Sequence, residues 1–401
     1  MAEEQIAFRP RYSTDESSNE AYAEDLRQQR VRWRKKRATA VLSLLIGFIA
    51  VTVIGRIYAF ISGFTSGSRE GQTYSLKQTA LARKESFGLI DDIPTTAWKQ
   101  HKAASKKAVK LQDKVIAKTS DMLSESGANI DERKWWTQNW PPNFAACDNK
   151  KVQIGGKWVC QPRRIIDLAD EYKTSSRRKK KKQRGNKECL IYISGGNDVE
   201  FGLQFLDFSL SRMRELHPED NNNNKVDLTI CEIHIFNQFI PPEVLAKQAM
   251  GQTKGVHFHP FAFRPEGKES MGVSSSGQTA TAFKTLKETV KELGHTGKSL
   301  SILVIDCEGC EWDIYRDILS ADLSIQQVLM QLHGTPFIAN KFFTAMHTAG
   351  YAIFHKEEVG GSGNVYDYSW VKLATSYFGS IKPNLRQYKQ IVSVAGTNPR
   401  A

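Results

Sequence analysis

With 401 residues, the chain is long enough for one large domain or two smaller ones. Its formal net charge of +13 would suit an anionic partner, but much of the excess sits in two local runs, 27–37 and 177–184. With no RNP, zinc-finger or helix-turn-helix pattern in addition, no nucleic-acid partner is expected.

Residues 1–37 are polar and end in a basic run, Arg27 through Arg37, that leads straight into an uncharged apolar stretch. That stretch, 38–62 with Arg56 near its far end, is about the length needed to cross a bilayer as a helix. It starts too late and runs too long for a cleaved signal peptide. The basic flank lies before it, so the positive-inside rule places the amino terminus in the cytosol. The sequence therefore predicts a single-pass type II signal anchor, with the rest of the chain in the lumen of the Golgi or another endomembrane compartment. Residues 63–130 are rich in Lys, Ala, Ser and Gln and read as a stem. A folded domain is expected over 131–385, opening on the aromatic cluster Trp135, Trp136 and Trp140, with a tail at 386–401.

All six cysteines follow the anchor. An oxidising compartment permits disulfides, and the short loop between Cys147 and Cys160 has a length that suits one. The run 177–184 reads as a solvated insert, or alternatively as a clamp for an acidic substrate. Strands are then expected at 188–193, 227–236, 256–263, 302–305, 327–332 and 351–354. Helices between them are expected at 201–213, 243–250, 279–293 and 342–349. Alternation of this kind predicts an α/β fold, a Rossmann-like doubly wound, mostly parallel sheet.

In such a sheet the ligand site lies at the carboxyl ends of the strands, near the switch in strand order. Ser194, Gly195 and Gly196 end the first strand, Asn237 ends the second, and Asp306 ends the fourth, followed by Glu308 and Glu311. Gln331 and His333 end the fifth, and His333 is a candidate general base. Asp306 and Glu308 are also placed to cap the helix that follows. Cys307 and Cys310 read either as two small residues in a tight turn or as a redox or metal pair. His257 and His259 share a strand face, but no acidic residue is near them in sequence, so no metal site is expected.

The segments Trp140-Pro-Pro-Asn-Phe, Gly-Gly-Lys-Trp-Val-Cys160, Cys189-Leu-Ile-Tyr-Ile-Ser-Gly195, Cys231-Glu-Ile-His-Ile-Phe-Asn237 and Ile305-Asp-Cys-Glu-Gly-Cys-Glu-Trp312 occur in that order. Together they resemble the membrane-anchored methyltransferase-like domain proteins, and the last also resembles the FkbM-type methyltransferases. The resemblance spans about 135–377. It implies a class I methyltransferase fold with S-adenosylmethionine as cofactor and an unidentified methyl acceptor (glycan, protein or small molecule). It places Ser194, Gly195 and Gly196 in the cofactor loop and Asp306 near the methionine moiety or the acceptor. Asn237, from its place at the second strand end, can hydrogen-bond a ribose hydroxyl of the cofactor, and Asp306, Glu308 and His333 are the catalytic candidates at the strand ends. Four positions depart from the family pattern: Asn237 stands where an Asp is usual, Gln331 where a Glu is usual, and Cys307 and Cys310 where cysteines are usually absent. A Golgi glycosyltransferase and a binding domain that has lost its cofactor are the alternative readings.

Overall fold

The computed structural model describes residues 76–124, 131–178, 188–195, 199–218, 229–251, 253–267, 282–335 and 338–378. The expected anchor, the basic tail before it and the tail at 386–401 lie outside these residues. Among the described residues, no helix is long and apolar enough to cross a membrane.

Two helices open the structure, α1 (Leu76–Glu85) and α2 (Thr95–Ser124). Both lie within the stretch 63–130 that the sequence reads as a stem. Trp98 of α2 is fully buried, packs edge-on against Phe144 and Tyr377, and donates its indole N–H to Glu85 at 2.5 Å. Glu85 also holds Lys102 at 2.7 Å, and its carbonyl accepts the N–H of Ala374. Few large apolar residues punctuate this Lys- and Ala-rich stretch, so its buried stripe is faint in sequence even though one tryptophan anchors it.

Helix α3 (Glu132–Gln138) follows, capped by the Asp131 carboxylate, and buries Trp135 and Trp136. A hairpin of β1 (Lys151–Ile154) and β2 (Lys157–Cys160) comes next. Its two-residue loop needs positive φ at both positions, which Gly155 (+50°) and Gly156 (+82°) supply. A side chain at Gly155 would also strike the backbone of Phe201. The expected Cys147–Cys160 disulfide is present and ties the hairpin to the turn at Ala145–Cys147. Replacing both cysteines with alanine should cost about 3 kcal/mol, the loop-closure value for a loop of about 15 residues. A lowered urea midpoint at unchanged m-value would report it.

After α4 (Pro162–Arg178) the doubly wound region begins. In chain order it contains β3 (Cys189–Gly195), α5 (Val199–Leu216), β4 (Cys231–Phe236), α6 (Pro242–Ala249), β5 (Val256–His259), β6 (Phe261–Phe263), β7 (Ala282–Lys284) and α7 (Leu286–Glu292). It continues through β8 (Ser299–Asp306), α8 (Glu311–Ser320), β9 (Ser324–His333), α9 (Ala339–Thr348), β10 (Tyr351–Glu358), β11 (Val365–Lys372) and α10 (Thr375–Phe378). The main sheet has seven strands in the order β10-β11-β9-β8-β3-β4-β5, and every neighbouring pair is parallel except the two made by β11. The mixed α/β, mostly parallel architecture expected from the alternation is therefore present.

Three local expectations change. The strand expected over 256–263 breaks at Pro260, which has no N–H for the ladder. Its second half, β6, leaves the main sheet to pair with β7. The helix expected from 279 starts only at Leu286, because Thr285 and Glu288 form a reciprocal capping box there. Strand β11 was not expected; it alternates buried Tyr366 and Tyr368 with Asp367 and forms a hairpin with β10.

Continuous apolar runs in the central strands bury both faces. Ile302 and Val304 join one core with Ile191, Ile193, Ile233 and Ile235, whereas Leu303 and Ile305 join the other with Tyr192, Phe236, Trp136 and Trp312. The Cys189–Cys231 disulfide links the register partners that open β3 and β4.

Candidate functional site

The sheet order reverses between β3 and β8: the chain runs outward from β3 through β4 to β5, then returns to β8 on the other side. At the carboxyl edge of that switch, Gly195 is the register partner of Asp306. Ser194 is buried one residue earlier, and Gly196 lies outside the described residues. Asn237, just past β4, reaches toward this edge, with Nδ2 3.4 Å from the Gly195 carbonyl. Its Oδ1 accepts the N–H of Phe239 at 2.8 Å, an Asx turn that an amide or a carboxylate makes equally well.

Asp306 is 9 % exposed, and burial raises its carboxyl above the ordinary range. The neighbouring Lys157 and His333 offset part of that, while Asp367 and Glu311 push in the same direction as burial. His333 ends β9 with its Nε2 3.9 Å from Asp306 Oδ1. The other ring nitrogen, Nδ1, lies 2.6 Å from Oε1 of Glu311, a fully buried carboxylate. The backbone N–H of His333 donates to the same oxygen, and that of Gly309 donates to Oε2. An oxygen pair that receives two backbone donors is an acceptor, so Nδ1 carries the proton. Nε2 of the neutral ring is then left as the basic nitrogen, on the side of Asp306. Trp312 donates its indole N–H to the His333 carbonyl at 2.8 Å and holds the strand end in place.

Of the three catalytic candidates, the fold brings Asp306 and His333 together, whereas Glu308 stays exposed in the turn after β8. Its φ of +52° is unfavourable for a residue with a side chain. The turn is closed by a disulfide between Cys307 and Cys310, so both are more than small turn fillers. Their sulfurs lie near Glu311, but each is bonded to the other and neither is a thiolate ligand. All six cysteines are paired.

Two further site residues, Lys157 and Asp367, are absent from the expected set. Gln327 docks the β1–β2 hairpin on β9 by bonding both the N–H and the carbonyl of Cys160, at 2.9 and 2.8 Å. This carries Lys157 to the sheet edge, where its ammonium meets Asp367 at 2.7 Å. Asp367 is the register partner of Gln331 and accepts its side-chain N–H at 3.2 Å. A carboxylate is thus present beside Gln331, contributed by the reversed strand. Only the Gly155-Gly156 hairpin signal before Lys157 could have pointed there from sequence.

At the switch of a mostly parallel sheet, where open α/β folds bind their ligands, the fold thus gathers Asp306, Asp367, Lys157 and a histidine held by the Glu311 carboxylate. Residues 80–372 match the family described as "Methyltransferase domain", and the chain belongs to that family. No curated protein matches the chain. Among solved structures, it is similar to the 1,6-didemethyltoxoflavin-N1-methyltransferase of Burkholderia thailandensis, which was crystallised with S-adenosylhomocysteine. The identity is 11 %, with 52 % of this chain and 79 % of that one covered, at a TM-score of 0.27. It is also similar to fibrillarin of Aeropyrum pernix, crystallised with S-adenosyl-L-methionine. There the identity is 6 % and the coverages are 51 % and 76 %, at a TM-score of 0.24.

Proposed function

We propose that this methyltransferase domain uses S-adenosylmethionine and that His333, oriented by Glu311, is the general base that prepares the methyl acceptor. The observation that carries the reading is the Glu311–His333–Asp306 arrangement at the strand-order switch, in a chain of this family. The residues suit the cofactor. Asp306 and Asn237 offer acceptor and donor atoms at the edge, and Gln238 Oε1, next to Asn237, is buried with no hydrogen-bond partner among the described residues. Ser194, Gly195, Asn237 and Asp306 would hold it, with Gly196 next in sequence. When bound, S-adenosylmethionine supplies an electrophilic methyl group on a sulfonium. His333 Nε2 takes the proton of an acceptor hydroxyl or similar group, and Glu311 stabilises the imidazolium that forms. Asp306 holds charge and orientation beside it, and Lys157 keeps the carboxylates of this edge from repelling one another.

The same reading puts the domain in an endomembrane lumen, anchored through 38–62 with the amino terminus in the cytosol. Three disulfides are what an oxidising compartment would support. Calorimetric titration of S-adenosylmethionine into the full chain tests the cofactor. Micromolar binding is expected in the wild type, and Asp306→Ala should weaken it by about 10- to 100-fold, the worth of one charge-assisted hydrogen bond (about 1.5–3 kcal/mol). A folded protein that binds nothing at millimolar cofactor would instead be a binding domain that has lost it.

A further inference from the structure

A second cluster of ionisable side chains sits on one sheet face, built from β3, β4, β5 and the turn after α7. Tyr192, His234 and His257 are register partners across three strands, so they share that face. Glu232 lies two residues before His234 and therefore points the same way. His295 is delivered by the end of α7, where its N–H bonds back to the carbonyl of Val290 and Gly294 takes a φ of +68°. His234 and His295 are almost fully buried, whereas the Glu232 side chain is 42 % exposed.

We infer that Glu232, His234 and His295 form a binding site for a zinc-class divalent ion, separate from the methyl-transfer edge. Glu232 Oε1 is 3.0 Å from His234 Nε2 and 3.5 Å from His295 Nε2, and all three ligand atoms lie within 4.8 Å of one another. A tetrahedral ion with bonds of about 2.0–2.1 Å separates its ligand atoms by about 3.3 Å. Two of the three edges are already at that length, and a small rotation of a histidine ring closes the third. Two imidazoles and a carboxylate are a donor set that zinc takes in preference to magnesium or calcium.

The surroundings support this assignment independently of those distances. Each histidine has its other nitrogen engaged: His234 Nδ1 with His259 Nε2 at 2.9 Å, and His295 Nδ1 with the Tyr192 hydroxyl at 2.6 Å. That is the outer shell a metal-bound imidazole requires, with Nδ1–H donating outward and Nε2 left for the ion. His257 stacks on His234 at 4.8 Å and restrains the ring. The exposed side of Glu232 provides the entry path and leaves a fourth coordination position for water. An ion here would tie β4 to the turn after α7.

The test uses the full chain, stripped with chelator, dialysed against zinc chloride and then against metal-free buffer. The expected result is one zinc retained per chain, a melting temperature that falls on chelation, and retention lost in Glu232→Gln and His295→Gln. His259→Gln, which removes only the outer contact, should weaken binding by about 10- to 100-fold. Cobalt titration of the wild type provides a readout that needs no variant to fold: the visible absorption of a tetrahedral ion is expected. A folded wild-type protein that retains no zinc overturns the site. So do equal retention in folded Glu232→Gln and His295→Gln, and a cobalt spectrum of purely octahedral, water-like character.

Discussion

Replacing His333 with alanine should slow methyl transfer by about 100- to 10,000-fold, the range for loss of a general base, while leaving S-adenosylmethionine binding within a few-fold of wild type. The separation of rate from affinity follows from the geometry. His333 Nε2 lies 3.9 Å from Asp306, and His333 is 23 % exposed, so the nitrogen can be reached by a second substrate. The cofactor contacts, by contrast, are assigned to β3, β4 and Asp306. Transfer of labelled methyl groups into fractionated extract, with wild-type enzyme defining the accepting fraction, provides the assay. Glu311→Gln is a companion variant. It keeps the shape but replaces one acceptor oxygen with an amide donor, so either the His333 tautomer or a backbone bond is disturbed, and a partial loss of rate is expected. A wild-type rate in His333→Ala would remove histidine from the chemistry and turn attention to the carboxylates of this edge, Asp306 first.

The second large effect concerns stability. Trp98→Ala should destabilise the domain by about 3–5 kcal/mol, the usual cost of truncating a fully buried tryptophan. Trp98 contacts Phe144 and Tyr377, which are far apart along the chain, and its indole N–H satisfies the buried Glu85. Truncation therefore leaves a cavity and also removes one of the donors that hold a buried carboxylate, whose pKa these partners lower. Urea unfolding of the wild type and the variant measures the loss. If α1 and α2 were only a spacer, the substitution would leave the midpoint unchanged.

Much of the fold is legible along the chain because its signals are local. The apolar runs at 190–193 and 302–305 must be buried on both faces, and each ends at a polar residue where the strand leaves the core. Ser194, Gly195 and Asp306 stand at those two strand ends, and Asn237 and His333 at the ends of two further strands. Elements whose burial depends on distant partners are harder to read. The Trp98 stripe has its counterparts at Phe144 and Tyr377, and β11 becomes a sheet strand only by inserting between β9 and β10.

By itself, then, the sequence determined the doubly wound pattern, the residues at the ends of the strands and the Cys147–Cys160 pairing. In each case the determinant is a periodicity or spacing within a few residues. Tertiary structure alone decided which side chains meet. It joined Glu311 to His333 across two strand ends, supplied Asp367 beside Gln331 from a reversed strand, and brought Lys157 in on a docked hairpin. It also set Glu232 and His295 within reach of His234 on the opposite part of the sheet. The physical reason is that hydrogen bonds and charge pairs act over about 3–4 Å in space and are blind to separation along the chain.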